Sequence, residues 1–387
     1  MTRIDHDALL AAACEATGLD DFGTNDFEAG LSVLLRSYDQ DARLTPLGEK
    51  LVWDELIGDL SGRLQVVDYL KREPEIARAE LERPIFILGL PRTGTTTLQQ
   101  IFQQDPESQV LEYWLGVTPQ PRPPRETWEE NTGYRRVAEV LRLTYEADPG
   151  LRALHDVSAE SGGECRFVFR HLFMDDSYDH TAYLPSYREW FDAQPMDRVY
   201  RWYRDVLKVI QHPNTGRRWI LKYPPHIRCL REIFAEFPDA CIIQTHRDPA
   251  RVLPSQASLL THFSKVYEEN VDAARIGRFI VDLWDERLHA GIRAREELDR
   301  ESQFFDLHFR EVLSDPVGSI RRALDSFGME LSEEAAARMK AWHTNHPPGR
   351  HGKHDYSPES YGIDRQDLSS RFHDYRERFG VDAETLG

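Results

Sequence analysis

The stretch Arg83-Pro-Ile-Phe-Ile-Leu-Gly-Leu-Pro-Arg-Thr-Gly-Thr-Thr-Thr-Leu98 constrains this chain more than any other. Ile85 to Leu88 is a short apolar run, the pattern of a parallel strand buried on both faces. Gly89 to Gly94 then reads as a tight loop, and Thr95 onward as the start of a helix. A strand feeding a glycine-bearing loop at a helix N-terminus builds an anion cradle. The first N–H groups of the helix have no partner inside it, and the positive end of the helix dipole lies at the same spot. The spacing is that of a phosphate-binding loop, G-x-x-x-x-G-[K]-[ST], with one departure. Thr95 stands where a nucleotide triphosphatase carries its lysine, and the only cation in the loop is Arg92. The expectation is a phosphate-rich ligand, held otherwise than in an ATPase.

Composition narrows the ligand. The chain has 387 residues and a net charge of −18 at pH 7. So acidic a chain is a poor general nucleic-acid binder, because that binding depends on neutralising phosphates with Lys and Arg. Any anion site must therefore be built from a few clustered cations. The four cysteines, Cys14, Cys165, Cys229 and Cys241, show neither a C-x-x-C pair nor zinc spacing. They read as reduced thiols of a cytoplasmic protein. No run approaches the roughly 18 apolar residues of a membrane span, so stable membrane insertion is not expected.

Residues 1–80 read as an amphipathic helical extension, with helices over Leu9 to Ala16, Leu31 to Tyr38, Leu47 to Leu60 and Leu64 to Arg72. The α/β part, residues 81–387, carries a helical insertion at about 120–210. Arg218 to Tyr223, Ala240 to Thr245 and Gln303 to Phe309 read as further parallel strands between helical patterns. Strands alternating with helices predict a three-layer α/β/α fold around a parallel sheet, similar to the P-loop nucleotide triphosphatases. Ligands of such sheets collect at the C-terminal strand ends. The extension and the insertion would form a helical cap.

Two more basic signals join the loop. In Cys241-Ile-Ile-Gln-Thr-His-Arg247-Asp-Pro-Ala-Arg-Val-Leu-Pro-Ser255, a strand ends at Arg247 and a helix carries Ser255. The guanidinium offers a planar fork to a phosphate, and the hydroxyl can donate beside it. Pro347-Pro-Gly-Arg-His-Gly-Lys-His354 is a glycine-bearing basic loop near the C-terminus, within a segment at about 345–360. Taken singly, each also reads as an ordinary ion pair or solvated loop. Together, in an acidic chain, they point to a multi-phosphate site.

At this point the sequence resembles the sulfotransferases that use 3′-phosphoadenosine-5′-phosphosulfate (PAPS), bacterial branch. Leu90-Pro-Arg-Thr-Gly-Thr-Thr96 looks like their 5′-phosphosulfate loop, Arg247 and Ser255 like their 3′-phosphate motif, and Arg350-His-Gly-Lys353 like their cofactor-closing loop. Trp219 to His226 and Phe305 to Pro316 resemble the strands that precede and follow the 3′-phosphate motif. The resemblance spans about residues 84–355. It implies that Pro91, Arg92, Thr93, Gly94, Thr95, Thr96, Arg247, Ser255, Arg350 and Lys353 bind PAPS and its product PAP, with no metal. It also implies sulfuryl transfer to an acceptor hydroxyl. The enzyme must align donor and acceptor, stabilise the leaving phosphate and remove a proton. Arg92 would meet the leaving group but cannot act as an acid, since arginine stays protonated.

For the base the sequence leaves open Glu164, His155, His226, His262 and Lys222. In the bacterial branch a glutamate at a helix start, similar in position to Glu164, lies near the acceptor. Lys222 ends a strand and could instead hold the sulfuryl group. Residues 167–203 hold eleven aromatics, dense enough for a lipophilic acceptor pocket and equally for a packed helical core. Two rivals remain: a small-molecule kinase, which requires Mg²⁺ and a loop lysine, and a non-catalytic nucleotide binder.

Overall fold

A computed structural model describes residues 4–147, 156–214, 216–346 and 357–384. Its centre is a five-stranded parallel sheet of β1 (Ile85–Gly89), β2 (Ser108–Val110), β3 (Arg218–Lys222), β4 (Cys241–His246) and β5 (Phe304–His308), in the order β2-β3-β1-β4-β5. The period-two geometry of a strand sends successive side chains to opposite faces. Ile85 and Ile87 accordingly enter a core with Leu98, Ile101, Phe102, Ile320 and Leu324. Phe86 and Leu88 enter the larger core on the other face, with Leu230, Val252 and Trp284. Helices cover both faces, and the architecture is the three-layer α/β/α arrangement expected.

Four of the five strands follow the apolar runs to within a residue. β2 does not, because Ser-Gln-Val carries no hydrophobic run; it forms by pairing with β3, Ser108 opposite Arg218 and Val110 opposite Ile220.

The first two N-terminal helices run His6–Thr17 and Glu28–Gln40. The next two expected helices are one, Pro46–Arg72. Thr45 caps it by accepting from the Gly48 N–H at 2.9 Å, and Pro46 occupies its first turn. The expected break at Ser61-Gly62 is instead a close-packing site, with Gly62 against His171 of the insertion. Arg63 beside it is buried between the rings of Phe27 and Trp202, 4.7 Å from each, and donates to the Phe22 and Thr24 carbonyls. Tertiary contact thus carries the helix through a weak stretch. These N-terminal helices share one core with the insertion.

Eight of the eleven aromatics of residues 167–203 are buried, and seven of them, including Phe169, Tyr187, Tyr200 and Tyr203, lie in that core. Their packing reading is the one the structure realises.

Candidate active site

The loop after β1 is held open by its backbone. Gly89 has φ +124°, and a Cβ there would sit 2.5 Å from the Thr245 carbonyl oxygen of β4. Arg92 adopts a left-handed conformation, φ +60°, uncommon for a residue with a side chain. Pro91, just before it, is half-buried. Thr93 is buried, and its Oγ1 lies 2.6 Å from Thr245 Oγ1. The two hydroxyls also reach the carbonyls of Leu90, at 2.7 Å, and Leu88, at 3.1 Å. This pins the loop to β4 as well as β1.

Gly94 is the N-cap of the helix Thr95–Phe102 and, having no side chain, leaves the first-turn N–H groups uncapped. Thr95 is buried and Thr96 half-buried on that turn. The cradle therefore exists as expected, with helix N–H groups turned toward the loop.

On the β4 side, Arg247 follows the strand and Asp248 caps the helix Pro249–Tyr267, accepting from the Ala250 N–H. Arg247 donates from Nη1 to the Arg92 carbonyl at 3.2 Å, so the two basic motifs touch. Its guanidinium lies 3.9 Å from the centre of the Phe309 ring. It also donates from Nε and Nη2 to the Glu384 carboxylate, at 3.0 and 3.1 Å. Ser255 is half-buried in the same helix, two turns on. Arg247, His308, Phe309, Val381 and Glu384 line a cavity of about 300 Å³. Nothing in the sequence near Glu384 marks it as a partner for Arg247, and sequence reasoning missed it.

On the β3 side, Lys222 ends the strand opposite Ile87. Its ammonium, 2% exposed, donates to Glu164 Oε1 at 3.0 Å, while Arg166 lies 3.8 Å from Oε2. Glu164 stays 27% exposed. The chain before it is stapled to the loop helix: Gln99 donates to the Gly163 carbonyl, and the Gly162 N–H donates to Gln103. The Cys165 N–H donates to the Lys222 carbonyl, and burial pushes the Cys165 thiol up to about 12. Glu164 and Lys222 are thus brought together, next to the loop.

The histidines divide. His226 is fully buried among Phe86, Phe169 and Tyr223, bonded through Nδ1 to Tyr200, and burial lowers it to about 3. It is a neutral core residue, with no access for a substrate. His262 is half-buried on the helix Pro249–Tyr267, two turns beyond Ser255. His155, Arg350 and Lys353 lie outside the described residues.

The model of the sulfotransferase family matches residues 84–333. The chain belongs to that family, and it is a sulfotransferase. A solved sulfotransferase, STF1 of Mycobacterium tuberculosis H37Rv, superposes with a TM-score of 0.87 at 35% identity, covering 96% of this chain and 99% of its own. STF9 of Mycobacterium avium superposes with a TM-score of 0.90 at 27% identity, covering all of both chains. A curated relative, omega-hydroxy-beta-dihydromenaquinone-9 sulfotransferase Stf3 of Mycobacterium bovis, is 24% identical over 346 residues, 85% of this chain and 83% of its own. The kinase reading is set aside by this membership.

Proposed function

We propose that the protein transfers the sulfuryl group of PAPS to a hydroxyl of a lipophilic small molecule or lipid, in the cytoplasm and without a metal. The observation that carries this is the order of three neighbouring strand ends. β3 bears Lys222 beside Glu164, β1 bears the phosphate loop, and β4 bears Arg247. Donor, reacting centre and base thus have adjacent places.

In this reading the uncapped N–H groups of Thr95 and Thr96 and the guanidinium of Arg92 meet the 5′-phosphosulfate. Arg247 and Ser255 take the 3′-phosphate, and Arg350 and Lys353 close over the nucleotide. The donor supplies the sulfuryl group and a phosphate leaving group. Glu164 removes the proton as the acceptor oxygen bonds to sulfur. The electron pair of the breaking S–O bond stays on the phosphate, where Arg92 and the loop stabilise it. Lys222 orients Glu164 or the transferring group. His262 and His155 are the remaining candidates for the base.

The lipophilic acceptor is supported by the Stf3 relative, named as an omega-hydroxy-beta-dihydromenaquinone-9 sulfotransferase. No helix among the described residues is long and apolar enough to cross a membrane.

Calorimetric titration with PAP in EDTA, beside ADP and ATP, tests the reading. Tight binding that requires the 3′-phosphate and no metal is expected. Mg²⁺-dependent ATP binding with none of PAP would overturn it.

A further inference from the structure

We propose that Glu384 is a competing latch, a carboxylate that occupies the 3′-phosphate grip in the free enzyme and is displaced by the 3′-phosphate of the nucleotide. The inference rests on the assignment of Arg247 to the 3′-phosphate.

The contact is built rather than incidental. The two carboxylate oxygens of Glu384 face Nε and Nη2 of Arg247, the side-by-side geometry in which a guanidinium also takes a phosphate. Arg251, in the first turn of the next helix, places its Nε 3.8 Å from the same carboxylate. The rest of Arg247 is committed elsewhere, its Nη1 to the Arg92 carbonyl and its face to Phe309. The carboxylate is therefore the partner that a nucleotide phosphate would replace.

The backbone of Glu384 is held too. Its N–H donates to Asp248 Oδ2 at 2.8 Å, while Asp248 Oδ1 accepts from the Ala250 N–H at 3.1 Å. The preceding segment is anchored on β4 and on the helix Phe309–Ser314. Phe379 stacks on His246 at 4.3 Å, Tyr375 bonds to the same imidazole at 2.9 Å, and Asp382 pairs with Arg310 at 2.6 Å. These anchors deliver Glu384 to Arg247 without relying on the ion pair itself. At 22% exposure the carboxylate can still swing out.

A carboxylate carries one charge and a phosphate monoester close to two at neutral pH. The dianion competes for the fork and for Arg251 together, so it displaces Glu384. A nucleotide with a free 3′-hydroxyl offers no charge and cannot. Glu384 thus lowers affinity for the 3′-phosphorylated nucleotide and leaves that for a 3′-hydroxyl nucleotide unchanged.

The test is calorimetric titration of wild type, Glu384→Gln and Glu384→Ala with PAP and with ADP, in EDTA. Both variants should bind PAP about tenfold more tightly, with ADP affinity unchanged. In an Arg247→Ala background, where PAP affinity itself should drop about thirtyfold, Glu384→Gln should bring no gain. Melting curves confirm that the variants fold. If wild type binds PAP well above ADP and neither Glu384 variant tightens it, the latch is refuted while the assignment of Arg247 stands. If wild type shows no preference for PAP, the assignment falls and the latch with it.

Discussion

Glu164 is the residue on which the proposed chemistry turns, and its surroundings dictate how it can be probed. Removing the side chain outright would strand the buried Lys222 ammonium without its partner, a change that costs about 3–5 kcal/mol in buried pairs. Glu164→Gln keeps an acceptor for Lys222 and removes the base. Turnover should fall about 10²- to 10⁴-fold, the range of a lost general base, with PAP affinity nearly intact. Unchanged turnover in a steady-state assay would pass the role to His262 or His155. Sequence named Glu164 and Lys222 separately but could not show that they are one ion pair, because their contact crosses 58 positions. His226 shows the reverse limit. Its neighbour Phe86 lies on β1, far back along the chain, so nothing local marked it as core.

At the scale of elements, the strand–loop–helix unit was legible because its signals are local. Apolar run, glycines and helix start all lie within sixteen residues, and the observed β1, loop and helix follow them closely. β2 and the fusion into Pro46–Arg72 were not legible, since a paired neighbour makes the first and the packing of Gly62 and Arg63 sustains the second. The unit's weak point is Gly89. An alanine there must adopt φ +124° and push against the Thr245 carbonyl. Gly89→Ala should destabilise the protein by about 1–3 kcal/mol from backbone strain alone. Gly58→Ala, in the interior of Pro46–Arg72 with open space around it, should stabilise by about 0.5–1 kcal/mol. Urea midpoints of the two variants should move in opposite directions; a Gly89→Ala protein as stable as wild type would refute the argument.

Across the whole molecule, buried titrating groups set the acid limit. His171, His180 and His226 are each lowered to about 3, chiefly by burial. Between pH 3 and 6.5 the unfolded chain binds protons at these sites that the native fold refuses. Their contribution is complete above 6.5 and lost as pH falls. Asp59 and Asp179 oppose this between about 3.8 and 6, because burial raises both to about 6 and the native state keeps their protons. Asp176 and Asp306 are held low by their arginine partners, with His246 also bonded to Asp306, and their stabilisation is lost as they protonate below about 3.8. The urea midpoint should therefore slope gently from pH 6.5 to 4 and fall steeply below 4. The steep limb gains about 1.4 kcal/mol per pH unit for each uncompensated proton. A midpoint that stays level down to pH 3 would contradict this.

The hydrogen bond from Arg247 to the Arg92 carbonyl has one more consequence. It ties together grips that stand on adjacent strands, so in the proposed reading the nucleotide is a bivalent ligand. Once either end docks, the other meets its grip at a high effective concentration fixed by the spacing of the sheet. A donor missing one anion then loses the advantage of simultaneous attachment as well as a contact.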